Sequence, residues 1–124
     1  MKILIVEDEI IIAEDLKLTL QGFGHEIISI VSSGEDAIIY ADNFLPDMII
    51  MDIVLEGEIN GIDAALLIKK KHNIPIIFCT AFVDMITRNV TSKFEPSIFI
   101  SKPIEEHKIQ VALNNLVQYN HSAM

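Results

Sequence analysis

Five residues in this chain could do chemistry together: Glu7, Asp8, Asp52, Thr80 and Lys102. Asp52 is the anomaly among them. It ends an apolar run, Met48-Ile49-Ile50-Met51, and apolar residues resume at once with Ile53, Val54 and Leu55. A carboxylate taken out of water is costly unless it is paired, metal-bound or protonated. A helix cap or a turn residue is the plain alternative, and this stretch by itself does not separate the two. If three carboxylates meet, two of them about 4 Å apart repel by roughly 4 kcal/mol at an effective dielectric near 20. Such a cluster needs cations. Lys102 supplies one charge, and a hard divalent ion such as Mg²⁺ takes one or two carboxylates while leaving room for phosphate oxygens. The pocket would then suit a phosphoryl group, with an aspartate as the nucleophile.

For these residues to meet, the fold must carry them to one edge. Five short apolar runs (Ile3–Val6, Ile27–Val31, Met48–Asp52, Pro75–Cys79 and Ile98–Ile100) alternate with longer segments of helical character. Runs that are apolar on both faces suit strands of a parallel sheet covered on both sides. The first helix is expected from about Glu9 to Gln21, with Ile12, Leu16 and Leu20 inward and Gly22 as its stop. The second opens after Ser32-Ser33 and carries Ala37, Ile38 and Ala41; the third starts at Asn60-Gly61, presents Ile62, Ala65 and Leu66, and ends before Pro75. A fourth, around Asp84 to Ser92, is weak because Thr87, Val90 and Thr91 are β-branched. The last shows the stripe Ile109, Ala112, Leu113 and Leu116. The pattern is (βα)5, an α/β three-layer sandwich around a five-stranded parallel sheet.

Open parallel sheets place their sites beyond the carboxyl ends of the strands. That puts Glu7 and Asp8 after the first strand, Asp52 at the end of the third, Thr80 after the fourth and Lys102 after the fifth. Asp8 could instead cap a helix, Thr80 shape a turn and Lys102 be a surface charge. Separate dull reasons for all five residues at one edge are less convincing than one shared site.

Composition narrows the classes. The 124 residues are 51% hydrophobic, which fits a single domain, taken as residues 1–119, with 120–124 as a polar tail or the start of a truncated linker. Nine basic against eighteen acidic residues leave a net charge of −9, which argues against direct nucleic-acid binding. The one basic run, Lys69-Lys70-Lys71-His72, falls at a helix C-terminus, where it complements the dipole. Cys79 is the only cysteine and lies in an apolar run, so it reads as a buried thiol. The four histidines are scattered without metal-ligand spacing. No apolar stretch is long enough for a membrane span, and the N-terminus turns acidic at Glu7, too soon for a secretory signal. A cytoplasmic address is the default expectation.

Taken in order and at those strand ends, Val6-Glu7-Asp8-Glu9, Met51-Asp52-Ile53, Asn60-Gly61, Thr80-Ala81 and Ser101-Lys102-Pro103 resemble the response-regulator receiver domains of two-component signalling (the CheY-like superfamily). The likeness covers essentially the whole chain. It implies a flavodoxin-like fold with strand order 2-1-3-4-5, and a phosphorelay role with no enzymatic action on other substrates. Asp52 would be the phosphoacceptor, taking its phosphoryl group from a sensor histidine kinase or phosphotransfer protein. Asp8, Asp52 and the main-chain carbonyl of Val54 would ligate Mg²⁺, or Mn²⁺ in its place, with Glu7 holding a metal-bound water. Lys102 would set a point charge on a phosphoryl oxygen. Thr80 would donate its hydroxyl to the phosphoryl group, and Phe99 would be the switching aromatic that turns inward as Thr80 moves. The Lys102–Pro103 bond would be cis. The face made by the fourth helix, fifth strand and fifth helix would relay the signal to a downstream effector. Homodimerisation through the last two helices is open, with no pattern that decides it.

Three departures bear on that resemblance. The loop Leu55-Glu56-Gly57-Glu58-Ile59-Asn60-Gly61 lacks the family's common proline and is one residue longer. Glu7 stands for a common aspartate, and Phe99 for a frequent tyrosine. Val54 and Phe82, two positions beyond Asp52 and Thr80, cannot orient a water, so slow self-dephosphorylation is expected. On the first helix, Ile11 and Leu18 lie off the core stripe, as a kinase-docking patch or as core edge.

Rival readings fare worse. A pseudo-receiver, the same fold acting as a phosphorylation-independent binding module, does not need the acids, Thr80 and Lys102. A haloacid-dehalogenase-type phosphatase wants an aspartate where Val54 stands. A flavin carrier would need a phosphate loop where Glu7-Asp8-Glu9 would repel phosphate, and Gly22-Phe23-Gly24 closes a helix instead of opening one, unlike a dinucleotide fingerprint.

Overall fold

A computed structural model describes residues 1–81 and 97–123, with side chains at all of these except 97 and 117–123. Strands β1 (Lys2–Val6), β2 (Glu26–Val31), β3 (Met48–Asp52), β4 (Ile76–Thr80) and β5 (Ser97–Ser101) form one sheet in the order β2-β1-β3-β4-β5. Every neighbouring pair is parallel. Four helices are described: α1 (Ile10–Gly22), α2 (Gly34–Phe44), α3 (Gly61–Lys71) and α4 (Glu106–Ala123). The weak helix expected around Asp84 to Ser92, and Phe82 with it, lie outside the described residues.

Side chains alternate between the two faces of a strand, so a sheet covered on both sides needs apolar residues at every position. That is what β1, β3 and β4 supply. Leu4, Val6, Ile49, Met51, Ile76 and Phe78 face one core, completed by Ala37 and Ala41 of α2 and Ala64, Ala65 and Ile68 of α3. Ile3, Ile5, Met48, Ile50, Ile77 and Cys79 face the other, completed by Ala13, Leu16 and Leu20 of α1 and Ile109, Ala112, Leu113 and Leu116 of α4. β2 is an edge strand and is mostly half-buried, which accommodates its Glu26 and Ser29.

Helix starts follow local chemistry. Ser33 Oγ accepts from the Asp36 N–H at 3.1 Å and Asn60 Oδ1 from the Asp63 N–H at 2.9 Å, each satisfying an orphan donor of the first turn. Two core stripes differ in phase from the sequence expectation. In α1 the buried set is Ala13, Leu16 and Leu20, while Ile12 is half-buried. In α3 it is Ala64, Ala65 and Ile68, while Leu66 is 39% exposed. Small alanines let α3 approach the sheet and α2 closely, and the larger leucine turns out. The C-terminal ends of α2 and α3 are tied by Asp42, which lies 2.7 Å from His72 Nε2 and 3.5 Å from Lys71 Nζ. The His72 hydrogen bond, with the nearby lysine, holds the Asp42 carboxyl below its ordinary value. No described helix is long and apolar enough to cross a membrane.

Candidate functional site

The site is built where the strands end. β1 stops at Val6 and delivers Glu7 and Asp8; Asp52 and Thr80 are the last residues of β3 and β4; Lys102 follows β5. Because β1 and β3 are adjacent and parallel, with Val6 level with Met51, their terminal acids emerge side by side. One carboxylate oxygen from each of Glu7, Asp8 and Asp52 falls within 4.8 Å of the others. Glu7 and Asp52 are only 5% exposed and Thr80 only 1%, so this is desolvated chemistry and not a surface cluster.

Lys102 answers the charge. Its Nζ lies 2.8 Å from Glu7 Oε1 and 2.9 Å from Asp52 Oδ2. Its backbone N–H donates to the Thr80 carbonyl at 3.0 Å, which fixes the end of β5 to that of β4, and the Lys102–Pro103 peptide bond is cis. Burial works against the ammonium, but the hydrogen bonds to Glu7 and Asp52 outweigh it and hold Lys102 above the ordinary lysine value. On the acid side, burial pushes the Glu7 carboxyl up to about 7; Lys102 pulls it down, and neighbouring Asp52 pushes it up again. One lysine does not compensate the cluster fully.

The second carboxylate oxygens of Asp52 and Glu7 are held by main chain. Asp52 Oδ1 accepts from the Val54 N–H at 3.3 Å, and Glu7 Oε2 accepts from the Glu9 N–H at 3.2 Å. Asp8, Glu9, Asp52, Val54, Thr80, Ala81 and Lys102 line a cavity of about 250 Å³, room for a tetrahedral oxyanion with several waters. The donor set consists of hard oxygens and carries excess negative charge, and Asp8 and Asp52 open into that cavity. It fits a divalent ion of the Mg²⁺ class.

Phe99 is half-buried and stacks on Phe78, ring centroids 4.9 Å apart and planes at 20°. Ile11 and Leu18 on α1 are 81% and 67% exposed. Ile11 lines a groove with Leu16, Pro103, Ile104 and Ile109 that borders the acid cavity at Lys102. Burial pushes the Cys79 thiol up to about 12, which leaves it inert.

Two supports of the site escaped sequence reasoning. Gly61 packs directly against the carbonyl of Asp52, and its N–H donates to the Ile53 carbonyl at 2.8 Å. Asn60-Gly61 marked a helix start, but a glycine in the first turn, close behind an anomalous aspartate, was also a signal of close backbone approach. The second is a parallel bridge between Ser33 and Glu56, which joins the segment after β2 to the loop after β3. Nothing in the local residue types announces that pairing.

Comparison with known proteins agrees with this geometry. The family model for the response regulator receiver domain matches residues 3–114. The phyllosphere-induced regulator PhyR of Methylorubrum extorquens is 30% identical over 98% of this chain and 45% of its own length. The signal receiver domain of a modulated diguanylate cyclase from Desulfovibrio desulfuricans superposes with a TM-score of 0.87 at 26% identity, covering 99% of this chain and 98% of that one. The anti-anti-sigma factor PhyR of Bartonella quintana gives a TM-score of 0.83 at 27% identity over 98% of this chain and 50% of its own. The chain spans less than half the length of the curated relatives it matches first. By strand order, by the acids and lysine gathered at the carboxyl edge and by the match over residues 3–114, this chain belongs to the response regulator receiver domain family.

Proposed function

We propose that the domain is a phosphoacceptor switch whose acceptor is Asp52. The observation that carries this reading is the placement of Asp52: 5% exposed, yet bordering a 250 Å³ cavity, with Lys102 Nζ at 2.9 Å and two further carboxylates beside it. A carboxylate oxygen of Asp52 attacks phosphorus, the P–N bond to a partner's phosphohistidine breaks, and the imidazole leaves with the bond's electron pair. The product is an acyl phosphate on Asp52. Asp8, Asp52 and the Val54 carbonyl, with Glu7 through a water, would hold Mg²⁺, which when bound offsets the charge of the phosphoryl oxygens. Lys102 exchanges its contact with Asp52 for one with a phosphoryl oxygen, and the Thr80 hydroxyl donates to another. Movement of Thr80 at the end of β4 is transmitted to Phe99 on the neighbouring β5, which packs on Phe78 of β4.

Partners follow from the same reading. The phosphodonor is a sensor histidine kinase or phosphotransfer protein that docks on α1 through Ile11 and Leu18. The output passes to a downstream protein through the face around β5 and α4. A relative described as an anti-anti-sigma factor supports a protein–protein output. Val54, 57% exposed at the cavity rim, offers no polar group to orient a water, so the phosphoryl group is long-lived.

Acetyl phosphate with Mg²⁺, followed by intact mass, tests the core claim. A single phosphoryl gain that requires Mg²⁺ and is absent in Asp52→Ala is expected. Failure of the wild-type chain to gain mass, together with failure to bind Mg²⁺, would leave a pseudo-receiver acting through its surfaces alone. Truncating Ile11 should slow transfer from a kinase and spare acetyl phosphate.

A further inference from the structure

We infer that Glu35, at the start of α2, is a positioning residue for the acceptor site, acting on the loop that carries Val54; this rests on the phosphoacceptor reading above. The loop from Leu55 to Asn60 leaves the acid cluster immediately after Val54 and is held against the beginning of α2. Glu56 pairs with Ser33 in a parallel bridge. One residue later Gly57 adopts φ +92, in the left-handed region, and a Cβ there would stand 2.5 Å from Glu35 Oε2. The next N–H, of Glu58, points to the same Oε2 at 3.5 Å. Ile59 then packs onto the core shared by α2 and α3.

Glu35 therefore lies over a backbone turn whose positive φ, more than lack of space, favours glycine. The loop is gripped on its outer side by α2, while Gly61 fixes its far end to Ile53. Val54 sits between these anchors, with its N–H on Asp52 Oδ1 and its carbonyl as the assigned main-chain metal ligand. Small displacements of ligating groups are costly because outer partners hold the inner ones in register. A carboxylate at the start of a helix also favours α2 itself. The positional role and the helical role make different predictions for glutamine, which keeps an acceptor oxygen for the Glu58 N–H and loses the charge.

The test measures Mg²⁺ affinity by calorimetry, and the Val54 and Glu58 amide resonances, in the wild type, Glu35→Ala, Glu35→Gln and Gly57→Ala. Glu35→Ala should weaken Mg²⁺ binding by about threefold or more, below the roughly tenfold typical of direct outer-shell partners, and should shift the Val54 amide. Glu35→Gln should keep both near the wild-type values. Gly57→Ala strains the same turn through its positive φ, independently of Glu35, and should weaken binding if the position of this loop governs the metal site. Unchanged affinity in either Glu35→Ala or Gly57→Ala, or equal weakening in Glu35→Ala and Glu35→Gln, overturns the inference and leaves the phosphoacceptor reading standing. A wild-type chain that binds no Mg²⁺ overturns both.

Discussion

Lys102 Nζ lies 2.9 Å from Oδ2 of Asp52, a pairing across fifty positions of sequence that joins the ends of β5 and β3. The same ammonium reaches Glu7 at 2.8 Å, so it stands where a cation is most needed. Breaking a buried pair costs several kcal/mol because the other partner is left uncompensated; here the carboxylates can relieve part of that by protonation. Lys102→Ala should destabilise the metal-free domain by about 2 kcal/mol at pH 8, read by urea unfolding. On the phosphoacceptor reading ammonium and metal share ligands, so saturating Mg²⁺ should recover more stability in the variant than it adds to the wild type. Equal Mg²⁺ increments in both proteins would show that they do not.

Gly61 makes a second prediction. A Cβ there would collide with the Asp52 carbonyl and lie 2.9 Å from Ile53 Cα. Both neighbours are backbone of a central strand end and its continuation, so neither can swing away. Gly61→Ala should cost about 2–3 kcal/mol, at the upper end of ordinary overpacking. Chemical denaturation measures that loss, and phosphorylation by acetyl phosphate should fall further than the loss of folded protein explains. A variant with wild-type stability would mean that α3 can slide outward freely.

The strands and the gathering of the candidate site residues at one edge were legible for the same reason. β1, β3 and β4 need apolar residues on both faces, so a polar residue at their ends stands out, and Asp52 after Met51 stands out most. The stripe Ile109, Ala112, Leu113 and Leu116 also reads directly, because large residues occupy one face of α4. α3 did not read so cleanly. Its buried face uses alanines at 64 and 65, whose burial comes from close approach of α2, and hydrophobicity alone favours Leu66. The strand order came from family resemblance; apolar runs are the same in any order. The grip of α2 on the loop after β3 was illegible because it depends on a bridge between residues 33 and 56 and on a glycine facing a glutamate from another element.

Leu45 caps α2 with φ 45 and ψ 64, the left-handed conformation that disfavours a side chain with a Cβ. It is 60% exposed, so little packing compensates. Leu45→Gly should therefore stabilise the domain by about 0.5–1 kcal/mol, the relief of left-handed strain less the extra freedom glycine gains in the unfolded chain. A rise in melting temperature with unchanged phosphorylation is the expected outcome. A fall would show that the leucine side chain contributes contacts worth more than the strain.

Glu7 yields a pH dependence with a definite sign. Its carboxyl is raised from 4.5 to about 7, so between those values the native state binds more protons than the unfolded one. Stability from this group is full below the unfolded value and is lost as pH rises through 7. Lys102, held above its ordinary value, contributes nothing that varies in this window, because its stabilisation is lost only in the alkaline range. Glutamine cannot ionise, and the remaining titrating groups are common to both proteins. In the presence of a chelator, the stability of Glu7→Gln relative to wild type should thus improve between pH 5 and pH 8 by on the order of 2–3 kcal/mol. Urea midpoints at the two pH values give the comparison directly. Mg²⁺ at pH 8 should offset that relative gain, since on the phosphoacceptor reading the ionised glutamate then serves a cation that glutamine cannot serve as well. A stability difference that stays flat with pH would mean that Glu7 titrates like a solvated carboxylate, and that Lys102 alone satisfies the cluster.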